Sequence, residues 1–153
     1  MDFDESIDVL NNLIVINNDR IEGYKTASTE TYEEELRSLF SRLEQTSQNC
    51  KMELQAEVNR LGGTPEEGTK TSGKFYRIWM DLKAAVTGSD RKAILESCEY
   101  GEKVAIDAYQ NVLEEDMEEV TYEQRAMLNS HLNLLKADYE KVMSMQELAQ
   151  RNS

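Results

Sequence analysis

Apolar residues recur at three- and four-residue steps over most of the chain, the period of a helix with one buried face. From Asp4 to Ser28 the stripe takes Ile7, Leu10, Leu13, Ile14, Ile21, Tyr24 and Ala27. Thr31-Tyr32-Glu33-Glu34 reads as a capping box, in which the threonine oxygen and Glu34 satisfy free amides at the start of a second helix. That helix carries Leu36, Leu39, Phe40, Leu43, Leu54, Val58 and Leu61. It stops at Gly62-Gly63-Thr64-Pro65, where glycine allows a left-handed cap and proline blocks continuation. Lys74 to Val86 forms a short helix with Phe75, Ile78, Trp79, Leu82 and Val86 on one face. Gly88-Ser89-Asp90 ends it and caps the next helix, which runs through Ile94, Leu95, Cys98, Ala105, Tyr109, Val112 and Leu113. A second capping box, Thr121-Tyr122-Glu123-Gln124, opens a last helix through Met127, Leu128, Leu134, Leu135, Val142, Met145 and Leu148.

Long helices with one apolar stripe each, and no strand pattern, predict an all-α four-helix bundle in a single domain over 1–153. The first pair and the last pair are joined by short connections, so each is an antiparallel hairpin. The connection between them, about 62–89, contains the short helix. That helix spans roughly 20 Å and the remaining residues roughly 40 Å, more than the roughly 45 Å of a long helix. The crossover of a ferritin-like four-helix bundle is therefore within reach of the chain.

Composition narrows the partners. Seventeen Lys+Arg against thirty Asp+Glu leave a formal net charge of −13 in 153 residues. Such a surface repels phosphate backbones and anionic lipid, so no nucleic acid is expected as a partner. The acidic start Met1-Asp2-Phe3-Asp4-Glu5 is unlike a secretory signal. No apolar run approaches the roughly 20 residues of a membrane span, so no membrane insertion is expected. Two cysteines, Cys50 and Cys98, make no disulfide framework. The expectation is a cytoplasmic protein with free thiols.

The chemistry lies where the apolar stripes are interrupted. The inward steps are Asn17 on the first helix, Ser47 and Cys50 on the second, Cys98 and Glu102 on the third long helix, and His131 then Asp138 on the last. A buried carboxylate must be paired, protonated or metal-bound, and His131 is the expected partner of Glu102. Two readings follow. In the first, Asn17, Ser47, Cys98, Glu102 and His131 form a structural polar layer that fixes helix register, with tyrosine hydroxyls completing it and no cofactor. In the alternative, Glu102, His131 and Cys50 hold one zinc or iron ion in the bundle core. Phe75, Tyr76 and Trp79 pin the short helix to the bundle. No phosphate loop, nucleophile elbow, CxxC pair or HExxH motif is present, and no residue is assigned a catalytic role.

Gly23-Tyr24, Leu61-Gly62-Gly63-Thr64-Pro65, Arg77-Ile78-Trp79 with Leu82-Lys83, and Ala93-Ile94-Leu95-Glu96 with Gly101-Glu102 and Tyr109 span nearly the whole chain. Together they resemble the ferritin-like superfamily, and within it an uncharacterised bacterial branch of four-helix-bundle proteins of unknown function. Iron-handling relatives carry a Glu on each of two helices and Glu-x-x-His on the other two. Laid on this chain, those positions become Asn17; Ser47 and Cys50; Glu102; Leu128 and His131. Only Glu102 and His131 keep the expected type, so the resemblance implies the fold without a di-iron centre. It is compatible with a stress-related role. The expected function is that of a non-enzymatic interaction protein with an unidentified protein partner, homodimerising through a long helix face.

Overall fold

The computed structural model describes residues 3–69 and 73–151, with the backbone alone of Gly73, Lys74 and Phe75. The side chain of Phe75, expected on the docking face of the short helix, lies outside the described residues. Five α-helices follow one another: α1 (Asp4–Glu30), α2 (Glu34–Arg60), α3 (Gly73–Thr87), α4 (Arg91–Glu115) and α5 (Tyr122–Arg151). A 3-10 turn at Met117–Glu119 precedes α5. Among the described residues every regular element is helical. None of these helices is long and apolar enough to cross a membrane.

The helix ends show which local signals act. After α2, the Gly62 amide bonds the Asn59 carbonyl and the Gly63 amide bonds the Val58 carbonyl, both at 3.0 Å. This is the glycine-terminated cap expected from the sequence, with Gly62 at φ +85°. At α5 the reciprocal box forms: the Gln124 amide donates to Thr121 Oγ1 at 3.1 Å, and the Thr121 amide donates to Gln124 Oε1 at 2.9 Å. Asp90 caps α4 by accepting from the Ala93 amide at 3.1 Å. The box expected at Thr31–Glu34 does not form. Thr31 ends α1, its Oγ1 accepts from the Glu33 amide at 3.2 Å, and Glu34 pairs with Arg37 instead. Arg37 explains the difference. Its guanidinium reaches back to the carbonyls of Ser28 and Thr31, so the turn is organised by the end of α1 rather than the start of α2.

The core gives the direction of each helix. One apolar cluster gathers the early part of α1 (Leu10, Leu13, Ile14), the late parts of α2 (Leu54, Val58) and α4 (Tyr109, Val112), and the early part of α5 (Leu128, Leu132). The other gathers the opposite ends: Tyr24, Phe40, Leu43, Ile94, Leu95, Val142 and Met145, with Leu82 and Val86 of α3. The four long helices therefore run up, down, down, up. Because α2 ends at the first cluster and α4 starts at the second, the connection crosses the full bundle height, as its length allowed. The contacts are broad within the α1–α2 and α4–α5 hairpins and narrower along the α1–α4 and α2–α5 seams.

The crossover lies along α1. Asn11 donates to the Thr64 carbonyl at 3.1 Å and accepts from the Glu66 amide at 2.8 Å, while Asn18 donates to the Gly68 carbonyl at 3.0 Å. With this strap on one side and helices on the others, residues Ile16 through Ile21 are buried without a break. A helix otherwise amphipathic is thus enclosed on all sides at mid-height. There α3 closes the α1–α4 seam: Trp79 lies edge-on to Tyr24 at 5.1 Å between ring centroids, against Gly23 and Gly101.

Candidate functional site

Between the two apolar clusters the core is polar, and each long helix contributes. On α1, Arg20 sits in the run 13-17-20-24-27 that faces the bundle centre, and it is 1% exposed. Its Nε donates to Glu102 Oε2 at 3.0 Å and its Nη2 to Glu102 Oε1 at 2.5 Å, a two-pronged bond from α1 to α4. Nη1 bonds the Ser47 hydroxyl of α2, and Nη2 lies 3.7 Å from Asp138 Oδ2 of α5. Half-exposed Arg42 of α2 closes the set, its Nε donating to Asp138 Oδ1 at 3.1 Å. Arg20, Arg42, Glu102 and Asp138 are one charged group from each long helix, two of each sign.

Tyr24 completes the shell of Glu102, donating to Oε2 at 2.6 Å. Its ring lies 5.7 Å from the Arg20 guanidinium carbon and stacks on Phe40. Burial pushes the Glu102 carboxyl above the ordinary carboxylate range, opposed by Arg20 and the Tyr24 hydrogen bond. For Arg20, burial works against the charge, yet the attraction of Glu102 raises its pKa. A guanidinium does not deprotonate in proteins, and three donors meet one carboxylate, so the pair is ionic.

A second chain of bonds runs below it, again through all four helices. Asn17 Nδ2 donates to the Tyr109 hydroxyl at 3.0 Å. That hydroxyl lies 3.1 Å from His131 Nδ1, and His131 Nε2 lies 2.8 Å from Glu53 Oε1. The direction follows from donor count. The Glu53 carboxylate only accepts, so the hydrogen of the neutral ring is on Nε2. Bare Nδ1 accepts the single Tyr109 hydrogen, while the Tyr109 oxygen takes the Asn17 amide. Burial lowers the His131 pKa below the usual imidazole range, against the pull of Glu53. Asn17, Tyr109 and His131 are fully buried, whereas Glu53 is exposed.

Asn17, Ser47, Cys50, Cys98, Glu102 and His131 are all fully buried. Glu102 and His131, however, are not each other's partners. Arg20 and Tyr24 take Glu102, while Tyr109 and Glu53 take both nitrogens of His131. Nor do Glu102, His131 and Cys50 converge as ligands. Among the described residues no group of three or more His, Cys, Asp or Glu side chains is placed to hold a metal ion. The reason is the resident cation: Arg20 occupies the carboxylate that an ion would need. Sequence reasoning missed Arg20 and Glu53, which lie one helical turn beyond Asn17 and Cys50 respectively.

The thiols are equally closed off. Burial pushes the Cys50 thiol up to about 11, against the pull of the Arg20 charge. Burial and the nearby Glu102 charge push Cys98 higher still. Thiolate, not thiol, attacks a disulfide reagent. The native protein is therefore expected to resist an aromatic disulfide reagent at pH 8, and to release both equivalents after denaturation. Rapid native labelling would show that one cysteine is reachable.

Residues 5–115 match a sequence family described as a domain of unknown function, DUF2383. The match runs from the start of α1 to the last residue of α4, and so contains Asn17, Arg20, Tyr24, Ser47, Trp79, Glu102 and Tyr109. No curated protein matches the chain. With well over half of its length inside that match, the chain belongs to the DUF2383 family, a domain of unknown function.

Proposed function

We propose that the protein is a ferritin-like bundle of one domain that performs no iron chemistry and acts in the cytoplasm through its surface, as a non-enzymatic interaction protein. The observation that carries this reading is the Arg20 guanidinium seated on Glu102. Iron-handling bundles use carboxylates from facing helices to neutralise two divalent ions. Here two arginines supply the positive charge, and the matched positions hold Asn17, Ser47, Cys50 and Leu128. The core is then a register device, and the remaining scope for function lies on an acidic exterior, including association with a second copy along a long helix face.

Metal analysis of protein purified without an affinity tag tests the reading. Retained zinc or iron is expected below about one-tenth equivalent, because a core site bound on folding is normally kept through gentle handling. Aerobic oxidation of added ferrous iron is expected at the rate of buffer alone. One retained equivalent, or oxidation that Arg20→Met or Glu102→Gln alters, would overturn it.

A further inference from the structure

The Asn17–Tyr109–His131–Glu53 chain has a direction, and a second proton on the imidazole reverses one of its links. Neutral His131 accepts from Tyr109 at Nδ1 and donates to Glu53 from Nε2. Protonated His131 donates from both nitrogens. Nδ1 then faces a hydroxyl oxygen that already accepts from Asn17, and the Tyr109 hydrogen must leave the His131 direction. We infer that His131 is a pH switch, in which imidazole protonation turns the Tyr109 hydrogen away from His131, reverses this α4–α5 link of the chain and lowers the stability of the bundle.

The placement supports this. His131 is on α5, Glu53 on α2, Tyr109 on α4 and Asn17 on α1, so the chain links both hairpins across the narrower seams. The ionisable groups that bond the imidazole are Glu53 from α2 and Tyr109 from α4. The Arg20 charge from α1 acts on both Cys50 and Tyr109. Glu53 favours the protonated ring; burial and the bond from Tyr109 favour the neutral one. Glu53 is exposed, which gives the buried ring a route for proton exchange with solvent.

The sign follows from linkage. With the folded-state pKa depressed, the unfolded chain binds the extra proton first as pH falls. Stability is therefore full above the ordinary imidazole value of about 6.5, and is lost progressively as pH falls from there through the folded-state value. His131 is the chain's one histidine, so its ring resonances titrate without ambiguity. The expected result is a midpoint below that of a free histidine. Tyr109→Phe, which removes the donor to Nδ1, raises it; Glu53→Gln, which removes the anion, lowers it further. His131→Gln reproduces the neutral ring, with an amide N–H toward Glu53 and an oxygen toward Tyr109, and flattens the fall in urea midpoint between pH 7.5 and pH 5. A midpoint at or above the free value, insensitive to Tyr109→Phe and Glu53→Gln, overturns the inference. So does an unchanged pH slope in His131→Gln.

Discussion

Replacing Arg20 by methionine is expected to destabilise the protein by about 3–5 kcal/mol, the usual cost of breaking a buried ion pair by removing one partner. Methionine fills much of the same volume, so lost packing is a minor part of the effect. The damage comes from what is left behind. Glu102, fully buried, loses both guanidinium bonds and keeps only the Tyr24 hydroxyl, while Ser47 loses its donor. The companion variant separates this from a merely fragile core. Arg20→Met combined with Glu102→Leu removes both charges, and well-packed apolar replacements of buried pairs are often neutral or stabilising. The double variant should recover most of the loss, a strong positive coupling in a double-mutant cycle. Urea denaturation at neutral pH measures all four corners. Additive losses, or an Arg20→Met loss under about 1 kcal/mol, would mean that Glu102 finds another partner or water.

Gly23→Ala should also destabilise, although helix propensity argues the other way. Alanine in a helix interior is favoured over glycine by about 1 kcal/mol, and Gly23 lies inside α1. But a methyl group there would stand 2.3 Å from Trp79 Cε3 and 2.7 Å from Cδ2, inside the ring rather than beside it. The indole cannot retreat freely, because Gly101 borders it on α4 and Tyr24 holds its edge. Overpacking of this kind typically costs 1–3 kcal/mol. Since the collision involves three ring atoms, a net loss of about 1–3 kcal/mol is expected. Trp79 is the only tryptophan, so its emission reports the cause directly. A red shift in Gly23→Ala would show that the ring has been driven into water, with α3 lifted from the bundle. A stabilised variant with unchanged emission would contradict the close approach.

These two sites mark how far the sequence could be read. Periodicity alone located the helices to within a few residues, because each long helix keeps an apolar stripe over many turns. The Gly62-Gly63 stop and the Thr121–Gln124 box were legible as chemistry. The Thr31–Glu34 motif differs only in ending on Glu34 rather than a glutamine, yet had a different outcome, since the Thr31 amide bonds the Ala27 carbonyl and Arg37 takes the Glu34 carboxylate. Asn17, Ser47, Glu102 and His131 stood out because a polar residue interrupts an apolar stripe. Arg20 did not stand out, because arginine is usually read as solvated. Yet it occupies the step between Asn17 and Tyr24 on the same face, and a buried glutamate needs a cation. Which of two candidate partners each charge takes depends on distances across helices, and a one-dimensional pattern does not contain them.

The two polar tiers, each drawing on every long helix, also limit how the rods can slide. Leucines facing leucines tolerate a shift of one helical turn, about 5.4 Å, because one apolar contact replaces another. A guanidinium two-pronged on Glu102 and an imidazole wedged between a phenol and a carboxylate do not. Moving any one rod by a turn would strip partners from both tiers at once and strand ions in hydrocarbon. The tiers therefore work like the wards of a lock, admitting a single alignment of four otherwise greasy and interchangeable surfaces.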